Sequence, residues 1–95
     1  MMTYISMLTY SAEGVKGISA ARTAEAKEAI KRAGGKYIAS YDLLGMYDAM
    51  ILAEYPDPKA ALKASMELNK LIGVSSRTML ALPIDDDDED MVCLL

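Results

Sequence analysis

At 95 residues the chain has room for a single hydrophobic core, because chains divide into separate cores only well above this size. Its 53% hydrophobic and 25% charged content and mean hydropathy of +0.13 belong to a globular domain, and no run of ~18 uncharged apolar residues is present to span a bilayer. The chain has no histidine and one cysteine, Cys93, which excludes a Ser-His-Asp or Cys-His nucleophile, a His-ligated metal or haem, and an internal disulfide. No cofactor is expected.

Charge divides sharply by position. Asp85 to Asp90 carries six consecutive acids, so residues 1–84 hold ten Lys/Arg against eight Asp/Glu, a balance of +2. Residues 1–84 are therefore expected to form the folded domain and 85–95 an acidic tail. A weakly charged body with three arginines offers no phosphate-tracking stripe, and the tail would repel nucleic acid, so nucleic acid is not an expected partner. Met1 to Ser6 shows neither a basic segment nor a long apolar core, so the expected location is the cytoplasm.

Thr3 to Tyr10 is rich in β-branched and aromatic residues and reads as a strand, with Ile5 and Met7 on one side and Tyr4, Ser6 and Leu8 on the other. Ser11 to Arg22 contains Gly14 and Gly17 and reads as a loop with at most one irregular turn. Ala26, Ala29, Ile30 and Ala33 then recur at helical spacing, and Gly34-Gly35 ends a helix starting near Thr23. Lys36 to Leu43 alternates Tyr37, Ala39 and Tyr41 against Ile38, Ser40 and Asp42. A tight turn at Leu44-Gly45-Met46 leads into a third strand over Tyr47 to Tyr55, completing a hairpin. Asp57-Pro58 starts a second helix, the carboxylate capping free N–H groups and proline occupying a position whose N–H has no helical partner. That helix runs through Ala61, Ala64, Leu68 and Ile72 to Gly73, and Val74 to Leu82 forms the last strand before Pro83.

The order strand-helix-strand-strand-helix-strand predicts an α+β domain of the ferredoxin-like split βαβ type (βαββαβ), a four-stranded antiparallel sheet with two helices on one face. Ala49 to Ala53 and Met79 to Leu82 are apolar at consecutive positions, so both faces of these strands are apolar. A sheet face of that kind implies a homo-oligomer in which copies pack sheet against sheet.

The segment Leu44-Gly45-Met46-Tyr47-Asp48-Ala49-Met50-Ile51-Leu52-Ala53-Glu54, followed by Pro56-Asp57 and an alanine-rich helix, resembles the GYD domain family. The motif residues are Gly45, Tyr47 and Asp48, supported by Glu13-Gly14, Gly73-Val74 and Arg77-Thr78. The resemblance spans about Thr3 to Leu82. It implies a small protein of the dimeric α/β-barrel type, in a family largely without an established activity. Related barrel families include cofactor-independent monooxygenases, small isomerases and ligand-sensing domains of transcription regulators. The monooxygenase-like members favour His, Trp or Asn near the pocket, and this chain offers only Asn69.

Five residues are candidates for contact with a small molecule: Tyr41, Tyr47, Asp48, Glu54 and Arg77. Tyr47 and Asp48, adjacent at the head of the third strand, are expected on opposite faces. Asp48 either accepts backbone N–H bonds around the turn or orients Tyr47 as a phenol donor in a pocket. Arg77 either binds an anion bidentately or pairs with Asp42, Asp48 or Glu54. Glu54 ends an apolar strand, where a carboxylate is either a wet strand terminus or an acid–base group. Gly14-Val15-Lys16-Gly17 lacks the spacing of a phosphate loop, the acidic run lacks the spaced ligands of a calcium loop, and no metal site is expected. Met2, Met7, Met46, Met50, Met66 and Met79 read as core filler and adaptable interface. Met91 to Leu95 could dock on a partner subunit. Two functions fit these residues. One is an oligomeric ligand-binding, accessory or sensory protein. The other is a cofactor-independent enzyme, monooxygenase- or isomerase-like, acting on a small carbonyl or quinol-like substrate with Tyr47 as donor, Asp48 as orienter and Arg77 as oxyanion stabiliser.

Overall fold

The computed structural model describes residues 1–84; the acidic run and Met91 to Leu95 lie outside the described residues. The elements in chain order are β1 (Met2–Tyr10), α1 (Ala12–Lys16), α2 (Ala20–Arg32), β2 (Lys36–Asp42), β3 (Ala49–Tyr55), α3 (Pro58–Ile72) and β4 (Val74–Ala81). The strands form one antiparallel sheet in the order β2-β3-β1-β4. This is the ferredoxin-like arrangement expected from the element order. No helix among the described residues is long and apolar enough to cross a membrane.

The segment read as a loop contains a short helix, α1, and the start of α2. Two serines account for both. Ser11 Oγ accepts from the Gly14 N–H (2.9 Å) and Ser19 Oγ from the Arg22 N–H (3.1 Å), so each supplies the acceptor that a helix start needs. Gly14 does not break α1, because its role is contact. Ser11 donates to the Gly73 carbonyl through both its backbone N–H (3.0 Å) and its hydroxyl (2.9 Å), drawing α1 against the end of α3. A Cβ at position 14 would stand 2.5 Å from that same carbonyl oxygen. At α3 the expected punctuation is present: Asp57 Oδ1 accepts from the Ala60 N–H (2.8 Å), and Gly73 closes the helix in the left-handed conformation at φ +60°.

The core lies between the sheet and α2 and α3. Tyr4 and Leu8 of β1 and Ala49, Ile51, Ala53 and Tyr55 of β3 meet Ala29 and Ile30 of α2 and Ala61, Ala64, Leu68 and Ile72 of α3. Tyr4 and Tyr55 contact edge to face, 5.6 Å between centroids. Three hydroxyls cross the β1–β4–α3 junction, Thr78 Oγ1 lying 2.9 Å from Ser6 Oγ and 2.7 Å from Ser65 Oγ. Asn69 is structural too, its amide 3.0 Å from Ser76 Oγ on β4. Of the methionines read as core filler and adaptable interface, Met2 packs against the core. Met46, Met66 and Met79 are exposed, while Met7 and Met50 lie half-buried on the sheet face away from the helices.

Candidate functional site

The motif residues come first along the chain. The β2–β3 connection is a six-residue loop, Leu43 to Asp48, rather than a tight turn, and Tyr47 and Asp48 lie in it rather than in β3. Gly45 adopts φ +115°, a conformation open mainly to glycine. Asp48 ties the loop to β1 and closes the loop across its own ends. Its N–H donates to the Leu8 carbonyl (2.9 Å), its carbonyl accepts from the Leu43 N–H (2.9 Å), and Oδ2 accepts from the Tyr10 N–H (2.8 Å). The carboxylate thus accepts from one backbone N–H, and that donor belongs to β1 and not to the turn.

The remaining candidates are spread over the uncovered sheet face. Strand register arranges that face in rows: Lys36, Glu54, Thr3 and Ala81; then Ala39, Leu52, Ile5 and Met79; then Tyr41, Met50, Met7 and Arg77. Arg77 and Tyr41 therefore stand at opposite edges of one row, ~14 Å apart across three strand spacings, and Glu54 lies ~14 Å along β3 from Met50. Among the described residues Arg77 forms no ion pair with Asp42, Asp48 or Glu54. Asp42, paired with the buried Ala49, faces the helices. Arg77 sits on β4 opposite Met7, whereas Tyr47 and Asp48 lie in the β2–β3 loop.

A cleft not anticipated from the sequence opens on the other side of the sheet. It encloses about 280 Å³ between α2, the α1–α2 connection and the β2–β3 end of the sheet. Its floor is apolar and buried, formed by Leu8, Ile30, Ala49, Ile51 and Ile72. Its rim carries Arg22, Lys27, Tyr10, Tyr37, Ser40 and Asp42. Arg22 lies 5.5 Å from the Tyr10 ring centroid and also donates to the Gly14 carbonyl; Lys27 Nζ lies 4.8 Å from the Tyr37 centroid. Tyr37 Oη and Ser40 Oγ are 2.6 Å apart. Of the five candidate residues only Tyr41 borders this cleft.

Two features hid the cleft. A β-bulge between Tyr37 and Ala39 breaks the alternation of β2, so Tyr37 pairs with buried Ala53 on the helix side while Tyr41 pairs with Met50 on the open side. The helical start at Ala20 places Arg22, Ala26 and Ile30 on one stripe and Thr23 and Lys27 beside it. That i, i+4 pattern was legible, but the glycines of residues 14–17 drew the helix start too late.

The fold and the two sheet faces define a small ferredoxin-like α+β domain. Within that class, the GYD domain model matches residues 4–90, and the chain belongs to the GYD domain family. Several solved structures share its fold, two of them regulatory proteins. One is the leucine response regulatory protein (LrpA) of Mycobacterium tuberculosis, at 11% identity and TM-score 0.59, covering 92% of this chain and 54% of that one. The other is a protein assigned as a glycine cleavage system transcriptional repressor, at 13% identity and TM-score 0.51, covering 90% of this chain and 48% of that one. The chain thus spans about half the length of each. The sequence matches no curated protein.

Proposed function

We propose that the protein is a small ligand-binding domain of accessory or sensory type that works as a homo-oligomer, with two copies packed sheet on sheet in the dimeric α/β-barrel manner. The observation that carries this reading is the uncovered sheet face. Ala39, Leu52, Ile5 and Met79 form an unbroken apolar row across all four strands, and Met50 and Met7 extend it in the next row. An apolar surface of that breadth is costly to leave in water, and burial against an identical face is the simplest closed solution. Lys36, Glu54 and Arg77 fall at its margins, as charged residues do at the rim of an interface. The two regulatory proteins that share the fold lend support to a sensory role.

Sedimentation equilibrium tests the assembly. The wild-type chain is expected at twice its 10.3 kDa mass or more, and Leu52→Lys at the monomer mass, because the lysine would lie uncompensated at the centre of the contact. A wild-type protein that sediments as a monomer at micromolar concentration overturns the proposal.

A further inference from the structure

We infer that the cleft between α2 and the β2–β3 end of the sheet binds a small amphipathic carboxylate, its charged group held by Arg22 and Lys27 and its apolar body resting on Leu8, Ile30 and Ile51. The inference rests on the ligand-binding part of the preceding reading and is independent of the sheet-to-sheet contact, which lies on the opposite face.

Charge sets the sign of the ligand. Asp42 is the single carboxylate among the described lining residues, against two cations, and among the described residues neither Arg22 nor Lys27 forms an ion pair. Both cations are instead laid against tyrosine rings, an arrangement that positions them without neutralising them. Arg22 spends one donor on the Gly14 carbonyl, and a guanidinium carries five, so the remainder can face a carboxylate.

The body of the ligand follows from the floor. Leu8 and Ile30 are each 1% exposed and Ile51 7%, so they close the base of the cleft as part of the core, and partly exposed lining residues such as Ala26 supply open apolar surface above them. Ile18, 59% exposed on the α1–α2 connection, adds an apolar wall at the mouth. The volume of about 280 Å³ matches a compound of roughly ten non-hydrogen atoms, allowing ~30 Å³ for each water-sized group. The polar side chains near the mouth, Tyr37 and Ser40, already bond to one another. A hydrophobic acid of that size satisfies floor and rim together, whereas an inorganic anion would leave the apolar floor empty and a neutral hydrocarbon would leave both cations unanswered.

The test uses 3-phenylpropanoate as probe and 3-phenylpropanamide as its neutral counterpart, titrated into the full chain and followed by backbone amide shifts. The expected result is saturable binding of the acid, with shifts concentrated at residues 22–30 and 37–42. The amide should bind roughly five-fold or more weakly, since it loses the charge-assisted bonds. Lys27→Met, at an exposed position, keeps the stem and removes the charge, and should weaken the acid by a similar factor with an unchanged melting curve. Ala26→Leu should block the cleft to both probes. Equal affinity for acid and amide, shifts centred on Ile5, Met50 and Met79, or no saturation up to about 10 mM would each overturn the inference. Light scattering on the same samples separates the two proposals, because a dimer that does not take the probe leaves the assembly standing and a monomer that takes it does the reverse.

Discussion

Gly14→Ala sets two effects of opposite sign against each other. Position 14 lies inside α1, where replacing glycine by alanine ordinarily stabilises by about 1 kcal/mol. The new Cβ, however, would stand 2.5 Å from the Gly73 carbonyl oxygen and 2.8 Å from that of Ile72, both backbone atoms at the end of α3. Restoring an ordinary 3.4 Å contact requires the Gly73 oxygen to retreat by about 0.9 Å. That oxygen accepts both Ser11 bonds, so the movement breaks two hydrogen bonds worth about 1 kcal/mol each, besides overpacking strain of about 1–3 kcal/mol. Less the helix-propensity gain, the net loss is about 2–4 kcal/mol, or a fall in melting temperature of about 10–25 °C for a domain this small. Urea denaturation measures it directly. Ser11→Ala breaks one of the same bonds, so the double variant should lose at least about 1 kcal/mol less than the sum of the singles. A Gly14→Ala protein as stable as wild type, or strict additivity with Ser11→Ala, would refute the argument.

Three further outcomes are expected. The Tyr4 hydroxyl is buried without a partner among the described residues, so Tyr4→Phe should leave stability unchanged or raise it by about 1 kcal/mol in denaturant; a clear loss would show that the hydroxyl is paired. Burial pushes the Tyr55 phenol up to about 12. Its folded value lies above the unfolded one, so this contribution is fully present below pH 10 and lost as pH rises from about 10 through 12, because only the unfolded chain releases the proton there. Tyr55→Phe should make that part of the alkaline decline shallower, as followed by circular dichroism. Gly45 has open space around it, so Gly45→Ala should cost about 1–2 kcal/mol in thermal melts through the positive φ alone; an alanine variant as stable as wild type would show that the loop does not need this conformation.

These outcomes bear on the family motif. Gly45 supplies a conformation and Asp48 supplies three hydrogen bonds, so two of its three residues act in the scaffold. By joining the β2–β3 loop to Leu8 and Tyr10 of β1, Asp48 fixes one end of the sheet, and the cleft opens at that end. The motif therefore shapes the cleft through the backbone while contributing no side chain to its lining.

The sequence alone was enough for the elements whose signals are local. Asp57-Pro58 and Gly73 bracket α3 because capping chemistry acts within a turn, and the alternation of Tyr4, Ser6 and Leu8 against Ile5 and Met7 placed β1 correctly because its two faces meet different surroundings. The continuous apolar runs of β3 and β4 announced a second apolar face for the same reason. Tertiary structure alone decided the rest. The bulge at Ile38 moves Tyr37 to the helix side, a shift set by pairing with Ala53 and invisible in the alternation of β2 itself. Gly14 looked like a loop residue until the Gly73 carbonyl, remote in sequence, showed why no side chain fits there. Arg77, Tyr41 and Glu54 carried suitable chemistry, but the distances among them are fixed by strand order and register. The cleft joins Arg22 and Lys27 to Tyr10 and Tyr37 from three elements, and such a convergence exists only once those elements have packed.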